Sequence, residues 1–325
     1  MKKILGYLFI IIINYFLITF VVFSFSYISL INNKTYDLFW IKYIQKKLYF
    51  SGLRNLWNQN SQCSTFDEDL LYIPKPGKCE FNNPEFKTIL NFDEDRRLNL
   101  IDDKIDENEK LIITVGDSLT MGWGVNDNET FSYNLQKLIK KKVINLGVSS
   151  YGTVREIKRL KKSKFFDQAD VVIIQYHLND IYENQDLNIN KVYSENDYEN
   201  LISKNNKLDK IKFIFRNYKK SLRLFFTNIK DLTIYRNNLE NHNLNDHFKN
   251  LDKIISKYLI FEKKRIIVFL IKEPYQNFIF DKNRKFLNYE FFVININKTH
   301  TFKIDDHLNM SGHKFVGKKL YEYLN

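Results

Sequence analysis

The sequence predicts an α/β domain with a parallel sheet, carried behind one N-terminal membrane-spanning helix. Three observations predict it. Five short apolar runs rich in β-branched residues (Leu111–Val115, Val143–Leu146, Val171–Tyr176, Arg265–Leu270 and Phe291–Ile296) recur along the chain. Such runs are how strands buried on both faces of a parallel sheet read. Between them lie stretches with apolar residues at helical spacing, such as Phe131, Leu135, Leu138 and Ile139, and strand–helix alternation is the signature of α/β architecture. At the N-terminus, no charged residue interrupts Ile4–Ile31.

That first run is long enough to cross a bilayer, which takes ~20 apolar residues. A cleaved signal peptide has an apolar core of roughly 7–15 residues and a small-x-small exit, which Ser24-Phe25-Ser26 imitates poorly. Residues 1–33 are therefore read as an uncleaved signal anchor. Lys2 and Lys3 favour an inside N-terminus, while Lys34, Lys42, Lys46 and Lys47 on the other side oppose it. The two cysteines, Cys63 and Cys79, favour an extracytoplasmic domain. They flank a loop-like stretch with Pro74, Pro76 and Gly77, and such a pair fits a disulfide worth ~3 kcal/mol in an oxidising compartment. The expected location is the cytoplasmic membrane of a bacterium, single-pass, with the catalytic domain periplasmic.

Residues 34–110 are expected to form a juxtamembrane stalk and small extension, ending in the acidic run Asp93–Lys110. Residues 111–325 are the main domain. Its strand rhythm breaks at a polar, partly helical insertion of about 181–258, with helical pattern at 211–227 and 248–258, read as lying over the site. Phe131–Lys142, Arg155–Phe166 and Gly312–Leu324 read as helices.

An apolar fraction of 44% with 16% aromatics excludes a disordered chain. The net charge of +12 is mostly lysine spread among asparagines. No arginine-rich arm or nucleic-acid motif accompanies it, so no nucleic-acid partner is expected. The remaining reading of the charge is attraction to anionic lipid headgroups or acidic glycans.

Ligands of open α/β sheets collect beyond the carboxyl ends of the strands. Three predicted strand ends carry suitable groups: Gly116-Asp117-Ser118, Asn145-Leu146-Gly147 and His177-Leu178-Asn179-Asp180. Asp305-Asp306-His307-Leu308-Asn309 precedes the last predicted helix. A serine hydroxyl needs a base, and the base needs a carboxylate to fix its tautomer. Ser118, His307 and Asp305 would supply these roles. The amides of Ser118 and Gly147 and the side chain of Asn179 would form the oxyanion hole, where one donor is typically worth ~3–4 kcal/mol. Glycine at 147 would let backbone approach the substrate.

In order, Ser118, Gly147, Asn179 and His307 resemble the four sequence blocks of the SGNH/GDSL hydrolases, from about Leu111 to the C-terminus. The resemblance implies a flavodoxin-like three-layer α/β/α sandwich and ester hydrolysis or acyl transfer with no metal or other cofactor. Two departures stand out. His177 occupies the usual glycine of Gly-x-Asn-Asp, which puts substrate size in doubt. Isoleucine stands at 304, where the acid is usual, leaving Asp305 or Asp306, of which Asp305 is preferred. Gly122-Trp123-Gly124-Val125 and the Asn145–Gly147 and Tyr151–Thr153 segments resemble a branch of bacterial envelope proteins linked to exopolysaccharide acylation.

Asp117 is read as serving the turn, Asp180 as organising the loop after Asn179, and His313 as a packing or surface residue; His242 and His247 look solvated. Trp123 and Tyr151 suit either a substrate wall or the core. The expected function is a membrane-anchored esterase with an acyl-enzyme on Ser118, deacetylating an envelope glycan. Alternatives are an O-acyltransferase, which would need a membrane partner delivering acyl groups, a lipase or lysophospholipase, and a non-catalytic glycan-binding protein.

Overall fold

The structure, a computed structural model, describes residues 2–99, 110–185, 191–203, 211–222, 240–259, 263–281 and 283–325. The chain opens with the long helix α1 (Lys2–Ile31) and the amphipathic α2 (Phe39–Leu48), which runs into a π-helical turn at Tyr49–Leu53. Two antiparallel hairpins follow, β1 (Ser64–Asp67) with β2 (Leu71–Pro74), then β3 (Gly77–Asn83) with β4 (Phe86–Phe92). The α/β portion comprises β5 (Leu111–Gly116), α3 (Ser118–Met121), α4 (Phe131–Ile139), β6 (Val143–Asn145), α5 (Thr153–Lys162) and β7 (Ala169–Tyr176). It continues with α6 (Ile181–Asn184), α7 (Glu195–Ser203), α8 (211–222), β8 (Glu240–Asn243) and α9 (Asn245–Tyr258). It ends with β9 (Arg265–Lys272), β10 (Gln276–Ile279), β11 (Glu290–Asn295) and α10 (Met310–Leu324).

The five expected strands form one parallel sheet in the order β6-β5-β7-β9-β11. Numbered among themselves, that is the 2-1-3-4-5 order of flavodoxin-like doubly wound domains. Side chains alternate across the sheet because successive residues of a strand face opposite ways. Leu111, Ile113 and Val115 pack with Ile157 and Leu160 of α5 and with Phe248, Leu251 and Ile255 of α9. Ile112 joins the opposite face with Phe131 and Leu135 of α4 and Val316 and Leu320 of α10. Each fully buried side chain of this kind contributes ~1.5–3 kcal/mol.

The expected insertion is only partly set apart from this core. Its last helix, α9, is the helix between β7 and β9 and packs on the sheet, because Phe248, Leu251, Ile254 and Ile255 recur at helical spacing. Tyr198 of α7 packs beside β1, its hydroxyl donating to Ser64 O at 2.7 Å, and α8 runs beside α1. Residues 223–227 of the expected 211–227 helix and 100–109 of the expected acidic run lie outside the described residues.

Residues 34–99 fold onto the domain. Trp57, Phe81 and Phe86 share one cluster with Met121 and Trp123 after β5 and with Val148 and Tyr151 after β6. Cys63 and Cys79 are joined by a disulfide with Cα atoms 5.4 Å apart. Among the described residues, α1 is the one helix long and apolar enough to cross a membrane.

Candidate active site

β5 ends at Gly116, where a Cβ would collide with Thr120 Oγ1 and press on Gln175. The chain then turns sharply into α3. Asp117 caps that turn, its carboxylate accepting from Leu119 N–H at 2.8 Å. Ser118, the first residue of α3, is nine-tenths buried. Its Oγ lies 2.6 Å from His307 Nε2.

His307 sits in the turn before α10. Its Nδ1 meets Asp305 Oδ1, which also accepts the His307 backbone N–H at 3.2 Å. With Nε2 facing a hydroxyl and Nδ1 facing a carboxylate, the neutral ring places its proton on Nδ1 and leaves Nε2 basic. Asp306 points outward to Lys46 Nζ at 2.5 Å. Of the two acids, Asp305 therefore faces the histidine.

Asp305 is buried and its second oxygen is crowded with donors. Tyr49 Oη donates at 2.6 Å and Trp123 Nε1 at 3.1 Å, and Arg54 Nε forms an ion pair at 3.3 Å. Arg54 Nη2 also lies 3.2 Å from His307 Nδ1. Burial pushes the Asp305 carboxyl up, but His307, the Arg54 guanidinium and the Tyr49 hydroxyl outweigh it and hold it well below the usual carboxylate range. Burial and the adjoining Asp305 carboxylate push the Tyr49 hydroxyl up, so it stays a donor.

The loop that carries the acid is clasped from behind. Glu85, in the β3–β4 turn, accepts the backbone N–H groups of Lys303, Ile304 and Asp305 at 2.8, 2.6 and 2.7 Å. Its carboxyl is raised by burial, against these three bonds, which lower it. Arg97 does the same for the loop after Ser118. It is fully buried, donates to Gly122 O and Val125 O at 2.7 Å each and to Met121 O, and pairs with Asp127 at 3.0 Å.

The oxyanion candidates are less uniform. Gly147 N–H is engaged by Asn145 Oδ1 at 3.0 Å. The reason for glycine here is packing: a Cβ at 147 would strike the backbone of Thr120 and Met121. Asn179 is exposed in a short 3₁₀ turn, its Oδ1 2.6 Å from His177 Nδ1. With Oδ1 so occupied, the amide nitrogen is the group Asn179 can offer. Asp180 organises this turn, its carboxylate accepting from His177 N–H at 3.0 Å and Thr153 Oγ1 at 3.2 Å. Burial, then the nearby Asp117, raise its carboxyl well above the ordinary range.

Trp123 and Tyr151 are both buried; Trp123 touches Asp305, while Tyr151 donates to Tyr72 O. His313 is fully buried between α10 and α4, its Nδ1 accepting from Phe131 N–H at 3.1 Å. His247, which reads as solvated in the sequence, is buried as well, 2.9 Å from Tyr176 Oη, because it falls on the apolar face of α9. Tyr49, Arg54, Glu85 and Arg97 had no signal in the sequence. Each looks like a surface residue until the fold wraps residues 34–99 around the loops that carry Ser118 and Asp305.

No family model and no curated protein matches the chain. Among solved structures, it is similar to AlinE4, an SGNH-hydrolase family esterase, at 16% identity over 51% of this chain and 60% of that one, with a TM-score of 0.26. It is also similar to CEX, a two-domain esterase active on acetylated mannans, at 14% identity over 66% of this chain and 48% of that one, TM-score 0.36. A third is a variant of Axe2, an acetyl-xylooligosaccharide esterase from Geobacillus, at 15% identity over 49% and 58%, TM-score 0.24. The chain thus spans about half to three fifths of these proteins. Likenesses so distant carry nothing about what this chain acts on.

Proposed function

We propose that this chain is a serine esterase of the SGNH type, anchored in a membrane by α1 and acting on an acylated envelope glycan. The observation that carries the chemistry is the line Ser118 Oγ, His307 Nε2, His307 Nδ1, Asp305 Oδ1. In this reading the Ser118 Oγ–H proton passes to His307 Nε2 while Oγ bonds to the ester carbonyl carbon. The negative charge moving onto the carbonyl oxygen is met by the Ser118 amide and the Asn179 side-chain amide. Gly147 N–H would join them only if Asn145 releases it. The carbon–oxygen bond to the sugar then breaks, and the leaving oxygen takes the proton from His307. Water then bonds to the acyl carbon while His307 Nε2 takes its proton, the bond from that carbon to Ser118 Oγ breaks, and Oγ regains the proton as the free acid leaves. Asp305 stabilises the transient imidazolium without taking a proton.

The glycan and the acetyl group rest on the resemblance of the Trp123 and Tyr151 segments to envelope proteins of polysaccharide acylation. The membrane placement rests on the length and composition of α1. The test uses the full chain in detergent with p-nitrophenyl acetate and a fluorophosphonate label. Hydrolysis and labelling are expected for the parent and neither for Ser118→Ala. Equal hydrolysis by both proteins, or by neither, would sink the reading. Acyl analysis of envelope glycans incubated with the parent then names the ester; loss of acyl chains from phospholipid instead would replace the glycan by a lipid.

A further inference from the structure

The anchor has a companion. α8 (211–222) alternates apolar and basic residues: Ile211, Phe213, Ile214, Phe215 and Tyr218 among Lys212, Arg216, Lys219 and Lys220. One side of it is spent on α1. The Tyr218 ring meets Phe20 at 5.9 Å and Phe23 at 5.4 Å, and its hydroxyl reaches Phe16 O at 3.4 Å. Tyr15 Oη donates to Leu222 O at 2.9 Å. α8 therefore runs beside residues 15–23 of α1, with Phe213, Asn217 and Ser221 buried.

Its other side is open. Ile211 and Phe215 are 68% and 70% exposed, and the exposed Lys219, Lys212, Arg216 and Lys220 follow round the helix from them, at ~100° per residue. Depth along α1 gives that face its surroundings. A helix rises ~1.5 Å per residue, and ~20 residues fill the hydrocarbon core. With Lys2 and Lys3 held at one boundary, Ile4–Phe23 fills the core and Tyr15 lies ~12 Å inside the other boundary. The pairing with α1 thus sets the Tyr218–Leu222 end of α8 ~5–12 Å below that boundary, with Phe213, clustered with Phe23 and Leu30, nearer the headgroups. At that depth large apolar side chains sink between acyl chains while lysine and arginine stems snorkel to phosphates.

We propose that α8 enters and binds the anionic phospholipid leaflet of the bilayer crossed by α1, an inference that rests on the membrane reading of α1. Four exposed cations on one short helix match a leaflet of negative headgroups. The contact continues into the site. Phe213 shares one cluster with Leu48, Tyr49 and Ile304, so the lipid-bound helix backs the wall that holds Asp305. Catalysis would take place on esters presented close to the membrane surface.

The test is spin-label accessibility in the full chain reconstituted in vesicles of phosphatidylcholine, with and without phosphatidylglycerol. Single labels replace Ile10→Cys in α1, Phe215→Cys in α8 and Lys318→Cys in α10, with the native disulfide intact. Position 10 is expected in lipid in both vesicles and position 318 in water in both. Position 215 is expected to gain oxygen accessibility over that of a water-soluble nickel complex, more strongly with phosphatidylglycerol. A label at 215 that stays in water while position 10 is in lipid overturns the proposal and spares the anchor. A label at 10 in water overturns both. Equal insertion of 215 in the two vesicles overturns the anionic preference. The triple variant Arg216→Glu, Lys219→Glu, Lys220→Glu, checked for unchanged circular dichroism, is expected to lose the phosphatidylglycerol dependence; if it keeps it, these cations are not the contact.

Discussion

Ser118 and Asp305 meet at one histidine, yet they are held by different kinds of structure. Ser118 is fixed by the sheet: β5 delivers it, Asp117 caps its helix, and Gly116 and Gly147 admit backbone where a side chain would collide. Apart from Gln175 and His307, everything it depends on lies within about thirty residues of it in sequence, the Arg97 clamp included. Asp305 is fixed from far away. Tyr49 and Arg54 come from the segment after α1, and Glu85 from the second hairpin. The contrast shows that the segment between α1 and β5 is part of the site. It supplies the electrostatic wall around Asp305, while the sheet holds Ser118.

The largest expected effect is at the joint itself. Asp305→Asn should keep the geometry but favour the wrong histidine tautomer, lowering kcat about 10⁴-fold. An Asp306→Asn control should stay near the parent. Equal losses in the two variants would erase the distinction drawn between the acids.

Next comes the staple of the distal half. Replacing both cysteines, Cys63→Ala with Cys79→Ala, should cost about 3 kcal/mol of unfolding free energy. If the wall is built as described, the same variant should lose esterase activity in denaturant before the far-UV signal of the sheet domain falls. Coincident loss would mean the two halves unfold as one.

His313 probes the sheet half by pH. Burial, then the nearby charges of Arg97 and His307, push it down to about 3 from an ordinary 6.5. Its folded pKa is depressed, so the stability tied to its neutral form is complete above about pH 6.5 and drains away as pH falls toward 3. His313→Gln, which retains an acceptor for Phe131 N–H, should show a shallower fall in Tm across that range. An unchanged slope would show that the buried imidazole is not the titrating group.

The smallest effects belong to the wall. Tyr49→Phe and Arg54→Gln each remove one donor from a carboxylate that keeps others, a change of about 1.5 kcal/mol, or roughly tenfold in kcat. KM should be unchanged, because neither group is expected to touch substrate. A rise in KM alone would move Arg54 from positioning residue to substrate contact.

The sequence by itself determined the five strands, the long apolar helix, and the order of Ser118, Gly147, Asn179 and His307. These are local signals: strand runs, helical spacing and strand ends depend on neighbours a few residues apart. Which strands pair, and that the hairpins after α1 fold over the loop that follows Ser118, were decided by tertiary structure. So was the choice between Asp305 and Asp306, two adjacent acids whose side chains leave the backbone in different directions. One meets a histidine, a tyrosine, a tryptophan and an arginine, and the other meets a surface lysine. Residues brought together across more than two hundred positions leave no periodicity to read, because their meeting depends on packing between elements and not on the chain nearby.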